Sequence, residues 1–235
     1  MMILPHLCRL FPVPGPRSCF FPGRSGLLLA GLLAMVLSGC TAAGGAAGDD
    51  STTRLYLLTP LTDKPPAPLP GSGAAVPAPL VEVAPIVLPG YLNRPQMVSR
   101  DGEHQLHASE FNQWGENLAD NLTRVVTENL AELLGHGGVY AQSPQIASRS
   151  AFRLLIQVAR FEPGPTGNIT LVARWRLYGP DSSDLLEVRR TVLESATPIT
   201  AGDYPAMAAA MSRQLADLSG QVATAIVRHH SQRRH

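Results

Sequence analysis

Only one long stretch of this chain is apolar without interruption, and it is too short to cross a membrane. It is the eleven-residue run from Leu27 to Leu37, whereas a helix needs ~20 apolar residues to span a hydrocarbon core of about 30 Å. A membrane protein built from several apolar helical spans is therefore excluded. The run has a basic lead, Arg9, Arg17 and Arg24 with no acidic residue among residues 1–26, which is the build of a secretory signal peptide. It closes on Leu37-Ser38-Gly39-Cys40. An aliphatic residue, two small residues and a cysteine make the bacterial lipobox, in which the small pair admits a peptidase to the backbone. The Cys40 thiol then receives a diacylglyceryl group and becomes the first residue of the mature chain. An ordinary signal peptide with a chance cysteine is the plainer alternative. The Pro- and Gly-rich lead also leaves open a start downstream of Met1.

Cleavage before Cys40 removes Cys8 and Cys19, so the mature chain holds no cysteine beyond the acylated one and no disulfide. Three arginines leave with the signal, which moves the formal net charge from +1 to −2. A weakly acidic body is a poor match for anionic head groups or for nucleic acid. Membrane attachment is therefore expected from acyl chains on Cys40, at ~0.8 kcal/mol per buried methylene. Residues 40–53 contain no large apolar side chain and read as a flexible tether; the thirteen residues after Cys40 reach at most about 45 Å. Thr41 occupies the place where, in enteric bacteria, an aspartate retains a lipoprotein in the inner membrane, so outer-membrane placement is expected.

The domain is expected over residues 54–228. Arg54–Thr59 has strand character. Seven prolines between Pro60 and Pro79 exclude helix and central strand and predict an extended loop; a docking segment in polyproline conformation is the sharper alternative. Leu80–Pro89 is an apolar strand with Pro85 inside it, which predicts an edge or a bulge. After a turn over Gly90–Pro95, Gln96–Arg100 and Glu103–His107 read as strands around Asp101-Gly102, a two-residue hairpin signal. A helix is predicted over Asn112–Leu134, capped by Ser109 or Asn112 and ended by Gly135 and the Gly137-Gly138 pair. Its stripe is Trp114, Leu118, Leu122, Val125, Val126, Leu130, Leu133 and Leu134. Phe152, Leu154, Ile156 and Val158 alternate, as do Ile169 to Leu177, and Leu186, Val188 and Val192 continue the pattern. Short loops between them imply an antiparallel meander. A last helix over Tyr204–Arg228 carries Met207, Met211, Leu215, Leu218, Val222 and Ile226, with Pro205 in its first turn. Residues 229–235 read as a polar tail. The fold class is α+β, a two-layer sandwich of a mostly antiparallel sheet with two helices on one face. The other face is expected to be wet and marked by Arg174, Arg176, Glu187 and Arg189. The sheet edge left by the proline loop and Pro85 is expected to serve self-association or partner docking.

Chemistry is sparse. Gly71-Ser72-Gly73 lacks the strand–turn–helix setting of a nucleophile elbow. Gly135-His136-Gly137-Gly138 follows a helix rather than opening one, so it reads as a C-terminal turn and not a phosphate loop. His104 and His107 are expected on opposite sides of a strand, which is poor metal geometry. Trp175 and Tyr178 beside arginines could stack a base, but the charge balance speaks against it. No catalytic, cofactor or metal site is expected.

Leu55-Tyr56-Leu57-Leu58 soon after the lipobox, then the run Val81–Val98 with Tyr91-Leu92-Asn93-Arg94-Pro95-Gln96 inside it, resembles the PqiC-type lipoproteins, also called ABC-type transport auxiliary lipoproteins. Trp114-Gly115-Glu116-Asn117-Leu118, Arg124-Val125-Val126 and Asn129-Leu130 resemble the helix of that family. The resemblance covers roughly residues 54–228. It departs at Asn93, where the family commonly has aspartate. It implies an accessory subunit of an MCE-type lipid trafficking system, meeting an MCE-domain bridging protein and its transporter subunits at the outer membrane. Tyr91, Leu92, Arg94 and Pro95 are the candidate partner interface. A lipoprotein that binds a lipid or small ligand on its own, and an envelope scaffold, remain the alternatives.

Overall fold

Two sheets and two helices are found among the described residues of the domain. The computed structural model describes residues 52–61, 79–135, 138–142, 151–180 and 184–233. The signal segment with Leu37, Ser38, Gly39 and Cys40, the tether, the proline loop between 62 and 78, Gly137 and the last two residues lie outside the described residues. The elements run β1 (Arg54–Tyr56), β2 (Val81–Val83), β3 (Gln96–Arg100), β4 (Leu106–Trp114), α1 (Leu118–Leu133), β5 (Val139–Ala141), β6 (Phe152–Pro163), β7 (Ile169–Tyr178), β8 (Leu185–Glu194) and α2 (Tyr204–Gln232). One sheet has the order β1-β4-β3 and the other β5-β2-β6-β7-β8.

The α+β class stands, but both sheets are mixed. The expected meander β6-β7-β8 is antiparallel, whereas β2 runs parallel to β5 and β6 and β1 parallel to β4. This places β2 inside the five-stranded sheet, so the strand before Pro85 is not the expected edge. Pro85 occupies a break: the Ala84 N–H donates to the Leu154 carbonyl (2.9 Å) and pairing resumes when the Val87 N–H donates to Ile156 (3.1 Å). A residue without an N–H fits between them. The long exposed edge is β8.

Helix α1 begins six residues later than expected. Trp114, four residues before Leu118, fits the helical stripe, but it belongs to β4, where it pairs with Tyr56 of β1. The cap is Asn117, whose Oδ1 accepts from the Ala119 N–H (2.9 Å), rather than Ser109 or Asn112. The β3–β4 hairpin also exists, with a longer loop than the Asp101-Gly102 signal suggests: the Asp101 N–H donates to the Gln105 carbonyl (3.1 Å) and Arg100 pairs with Leu106. Gly135 ends α1 at a φ of 85°, the left-handed conformation that glycine adopts freely. Helix α2 starts with Pro at its first turn behind Asp203, which accepts from the Ala206 N–H (3.0 Å). It continues through His229 and His230 to Gln232, beyond the boundary the sequence suggests.

The apolar stripes of both helices and the inward residues of β6 and β7 form one core, in which Leu122, Val125, Leu154, Leu171, Trp175, Val222 and Ile226 are all fully buried. Most polar groups inside it are paired; Gln214 donates from Nε2 to the Ile169 carbonyl (2.8 Å) but its Oε1 has no partner. Trp175 Nε1 donates to Thr191 Oγ1 (3.2 Å), which bonds in turn to Gln221 Oε1 (3.0 Å). Asn121 and Asn129 of α1 hold the extended chain that follows β1: Asn121 Oδ1 accepts from the Leu58 N–H (2.8 Å) and Asn129 Oδ1 from the Leu61 N–H (2.7 Å). Side chains thus replace a sheet partner where the strand expected to Thr59 stops at Tyr56.

One surface is reassigned. Arg174 and Arg176 face solvent as expected, but Glu187 and Arg189 lie on the helix side of β8, opposite Leu177 and Trp175. Glu187 is contacted there by Arg228 and His229 of α2, and Arg189 lies 5.5 Å from the centroid of the Trp175 ring, a cation–π contact. Trp175 is fully buried and stacks no external base. The apolar Val188 and Val192, expected in the core, face outward and are exposed.

Candidate functional site

The turn between β2 and β3 is tied down from within. The Leu92 N–H donates to the Pro89 carbonyl (3.0 Å), the Arg94 N–H to Leu92 (2.9 Å), and the Trp114 N–H to Pro95 (2.7 Å). Leu92 is 3% exposed and packs into the core, which fixes the turn as a buried apolar anchor does. Asn93 Oδ1 accepts from Asn117 Nδ2 (3.2 Å), linking the turn to the cap of α1. Of the four candidate interface residues, Tyr91 and Leu92 turn inward, while Arg94 and Pro95 stand exposed. The inward pair holds the outward pair in place.

Tyr91 reaches a group that sequence reasoning did not single out. Its hydroxyl donates to Glu162 Oε2 (2.9 Å), and Glu162 is fully buried. The same carboxylate accepts from Arg100 Nε, from Arg160 Nε and from the Phe161 N–H, each at 2.9 Å. A buried carboxylate is tolerable when donors and opposite charge surround it. A register shift between Val158 and Arg160 turns Phe161 to the core, opposite Leu171, and Glu162 to the other face, opposite Thr170, where Tyr91 and Arg100 cover it, so Phe161, Glu162 and Pro163 are buried in succession. The only sequence signal was an acid between a Phe and a Pro at the end of an apolar strand.

Burial and the neighbouring Glu162 carboxylate push the Tyr91 phenol from 10.0 up to about 12; the Glu162 hydrogen bond raises the Arg100 guanidinium further above its usual range. A raised phenol favours the folded state while it is protonated. Its contribution is complete below pH 10.0 and is lost as pH rises through about 12. Stability of the native protein minus that of Tyr91→Phe should therefore fall across this window, read from denaturant midpoints at stepped pH. A constant difference would mean that the phenol is not held against Glu162.

Beside this hub lies a half-open cavity of about 560 Å³. Arg100, Asp101 and His107 form one wall, the loop around Gly167 a second, and Ile199 to Met207 at the start of α2 a third. Gly167 has a φ of 82°, and a Cβ there would lie 2.4 Å from the Ile199 carbonyl oxygen, so only glycine lets these loops meet. Two of the charged groups on the wall are engaged: Arg100 with Glu162 and the Glu103 carbonyl, Asp203 with the first turn of α2. Among the described residues no group of three His, Cys, Asp or Glu is disposed to hold a metal ion. His104 lies in the hairpin loop and His107 in β4.

The family model described as the ABC-type transport auxiliary lipoprotein component matches residues 56–223. A solved structure described as an uncharacterized protein is 20% identical, with a TM-score of 0.59, covering 74% of this chain and 99% of its own. A Xanthomonas campestris protein of family DUF330 is 18% identical, with a TM-score of 0.55, covering 77% and 98%. These two structures share the fold. No curated protein sequence matches the chain.

Proposed function

The chain belongs to the family of ABC-type transport auxiliary lipoprotein components, and on that premise we propose that it is the outer-membrane-anchored, non-catalytic accessory subunit of an MCE-type intermembrane lipid transport system. The coarser statement, an accessory lipoprotein of ABC-type transport, rests on the family match. The finer one adds three readings: acylation at Cys40, a tether long enough for the domain to stand off the inner leaflet of the outer membrane, and a domain that meets an MCE-domain bridging protein. The observation that supports the partner role best is the division of labour in the turn, where buried Leu92 and bonded Tyr91 hold Arg94 and Pro95 outward. An arginine fixed on a rigid turn loses little entropy on binding.

Arg94→Ala is expected to weaken complementation of a deletion strain while the melting temperature stays within a degree or two, since no buried contact is removed. Full complementation would take the turn out of the interface. The role itself is tested by crosslinking intact envelopes and purifying the lipoprotein: an MCE-domain protein or ABC transporter subunit in the eluate supports it. The cavity of about 560 Å³ favours a second reading, a lipoprotein that binds a small ligand on its own. That reading gains if native mass spectrometry finds a bound molecule and crosslinking finds no transporter subunit.

A further inference from the structure

Strand β8 is a ten-residue edge whose outward side chains are apolar and basic, which is unusual for a strand left at the rim of a sheet. Among the described residues no strand pairs with its outer side. Val188 and Val192 are 53% and 47% exposed, and Arg190 stands between them on the same face. Directly across from Arg190, on β7, is Arg174; in the next row Arg176 lies between Leu155 of β6 and Val188. Among the described residues, acidic side chains occur on this face toward its ends only: Glu194 at the end of β8, Glu162 across β7 from it and already held by Arg100 and Arg160, and Glu82, which pairs with Arg153. Like charges directly opposite one another destabilise a sheet. An arginine on the edge strand is a common guard against aggregation, but Arg174 sits on an interior strand and guards nothing. Two facing arginines with no acid between them are accounted for by a partner that brings one.

We propose that the β8 edge, with the Arg174–Arg190 row beside it, receives an extended acidic segment of a protein partner as an added strand. The proposal rests on the accessory-subunit reading and names the chemistry of its partner. The free N–H and C=O groups of β8 call for alternating donors and acceptors, which another backbone supplies and a lipid phosphate, an acceptor alone, does not. A second copy of β8 fits badly, because antiparallel self-pairing centred on Arg190 or Arg189 sets arginine against arginine. Strand periodicity then fixes the pattern of the partner: an acidic residue opposite Arg190, with apolar residues two positions away on each side opposite Val188 and Val192. The face continues across β6 to Ala84, Pro85 and Val87, which line a shallow hollow with Arg174 and Arg176. The chain enters the Tyr91–Pro95 turn a few residues later, so one partner could touch both.

The test uses the full lipoprotein purified in detergent and two fluorescent peptides, one with the core Val-Thr-Glu-Thr-Val and one with lysine in place of the glutamate. Fluorescence anisotropy should show binding of the acidic peptide alone. Arg190→Glu should weaken that binding about tenfold, the effect of turning an attractive cross-strand pair into a repulsive one, with an unchanged melting temperature. Equal binding of both peptides, or an Arg190→Glu protein that binds as the native one does, overturns the proposal. So does a face that binds monomeric short-chain phosphatidylglycerol and neither peptide, or light scattering in which Arg190→Glu abolishes self-association and nothing else. If transporter subunits still co-purify with Arg190→Glu at native yield, the face is not the docking site and the accessory role stands; if they never co-purify with the native protein, that role fails whatever the peptides do.

Discussion

Cys40→Ser should empty the membrane-bound pool of this protein. No helix among the described residues is long and apolar enough to cross a membrane, and the body that follows the signal carries a formal charge of −2, so anionic lipid does not hold it. Stable anchoring takes more than one acyl chain, and Cys40 is the only cysteine left once the signal is removed. Serine offers no thiol for the diacylglyceryl transfer that precedes cleavage. The variant is expected either soluble in the periplasm or retained uncleaved through its signal run, with a domain that melts like the native one, because the substitution changes no residue of the hydrophobic core. Fractionation with a blot for both sizes decides it. A cleaved Cys40→Ser protein that still floats with the outer membrane would place the anchor elsewhere.

How much of this molecule could be read in advance depended on whether the signal was local. The stripe from Leu118 to Leu133 and the alternation in β6 and β7 are local patterns, and each became an element with its apolar side in the core. The start of α1 was misplaced because Trp114 satisfies a helical spacing and a strand alternation equally well; its pairing with Tyr56, far back in the chain, decided the matter. Strand β8 went wrong for a related reason. Its valines look like core residues until α2 is laid across the opposite face, where it binds Glu187 and leaves Val188 and Val192 in water. Pro85 suggested an edge, yet β2 acquired parallel neighbours on both sides from β5 and β6, a long-range event with no local trace. The turn at Tyr91–Pro95 stood out through its residue types. Its anchor did not, because strict alternation would set Glu162 on the core face; the irregularity after Val158 turns it to the opposite face, where Tyr91 from the turn and Arg100 from the other sheet cover it.

That anchor gives the second large effect. Glu162→Gln keeps the shape of the side chain and removes its charge. The glutamine oxygen can accept from the two guanidinium groups or from Tyr91 and Phe161, but its amide nitrogen cannot accept from the other pair. Arg100 and Arg160 then lose their shared counter-charge, with side chains 20% and 35% exposed. Breaking a fully buried pair costs ~3–5 kcal/mol; partial solvation of these arginines brings the expected loss to about 3 kcal/mol. For a domain of this size that lowers the melting temperature by about 10 °C, measured by circular dichroism on protein lacking the signal. The alkaline signature should change with it. Without the carboxylate, one of the causes that lift the Tyr91 phenol is gone, so the stability difference between Glu162→Gln and its Tyr91→Phe double variant should vary less with pH than in the native background. The comparison with Arg94→Ala then separates support from contact. Glu162→Gln should lower stability and partner capture together, because it loosens the turn, whereas Arg94→Ala should lower capture alone. If Glu162→Gln melts within a few degrees of the native protein, the buried hub does not hold the turn, and the rigidity assigned to Arg94 goes with it.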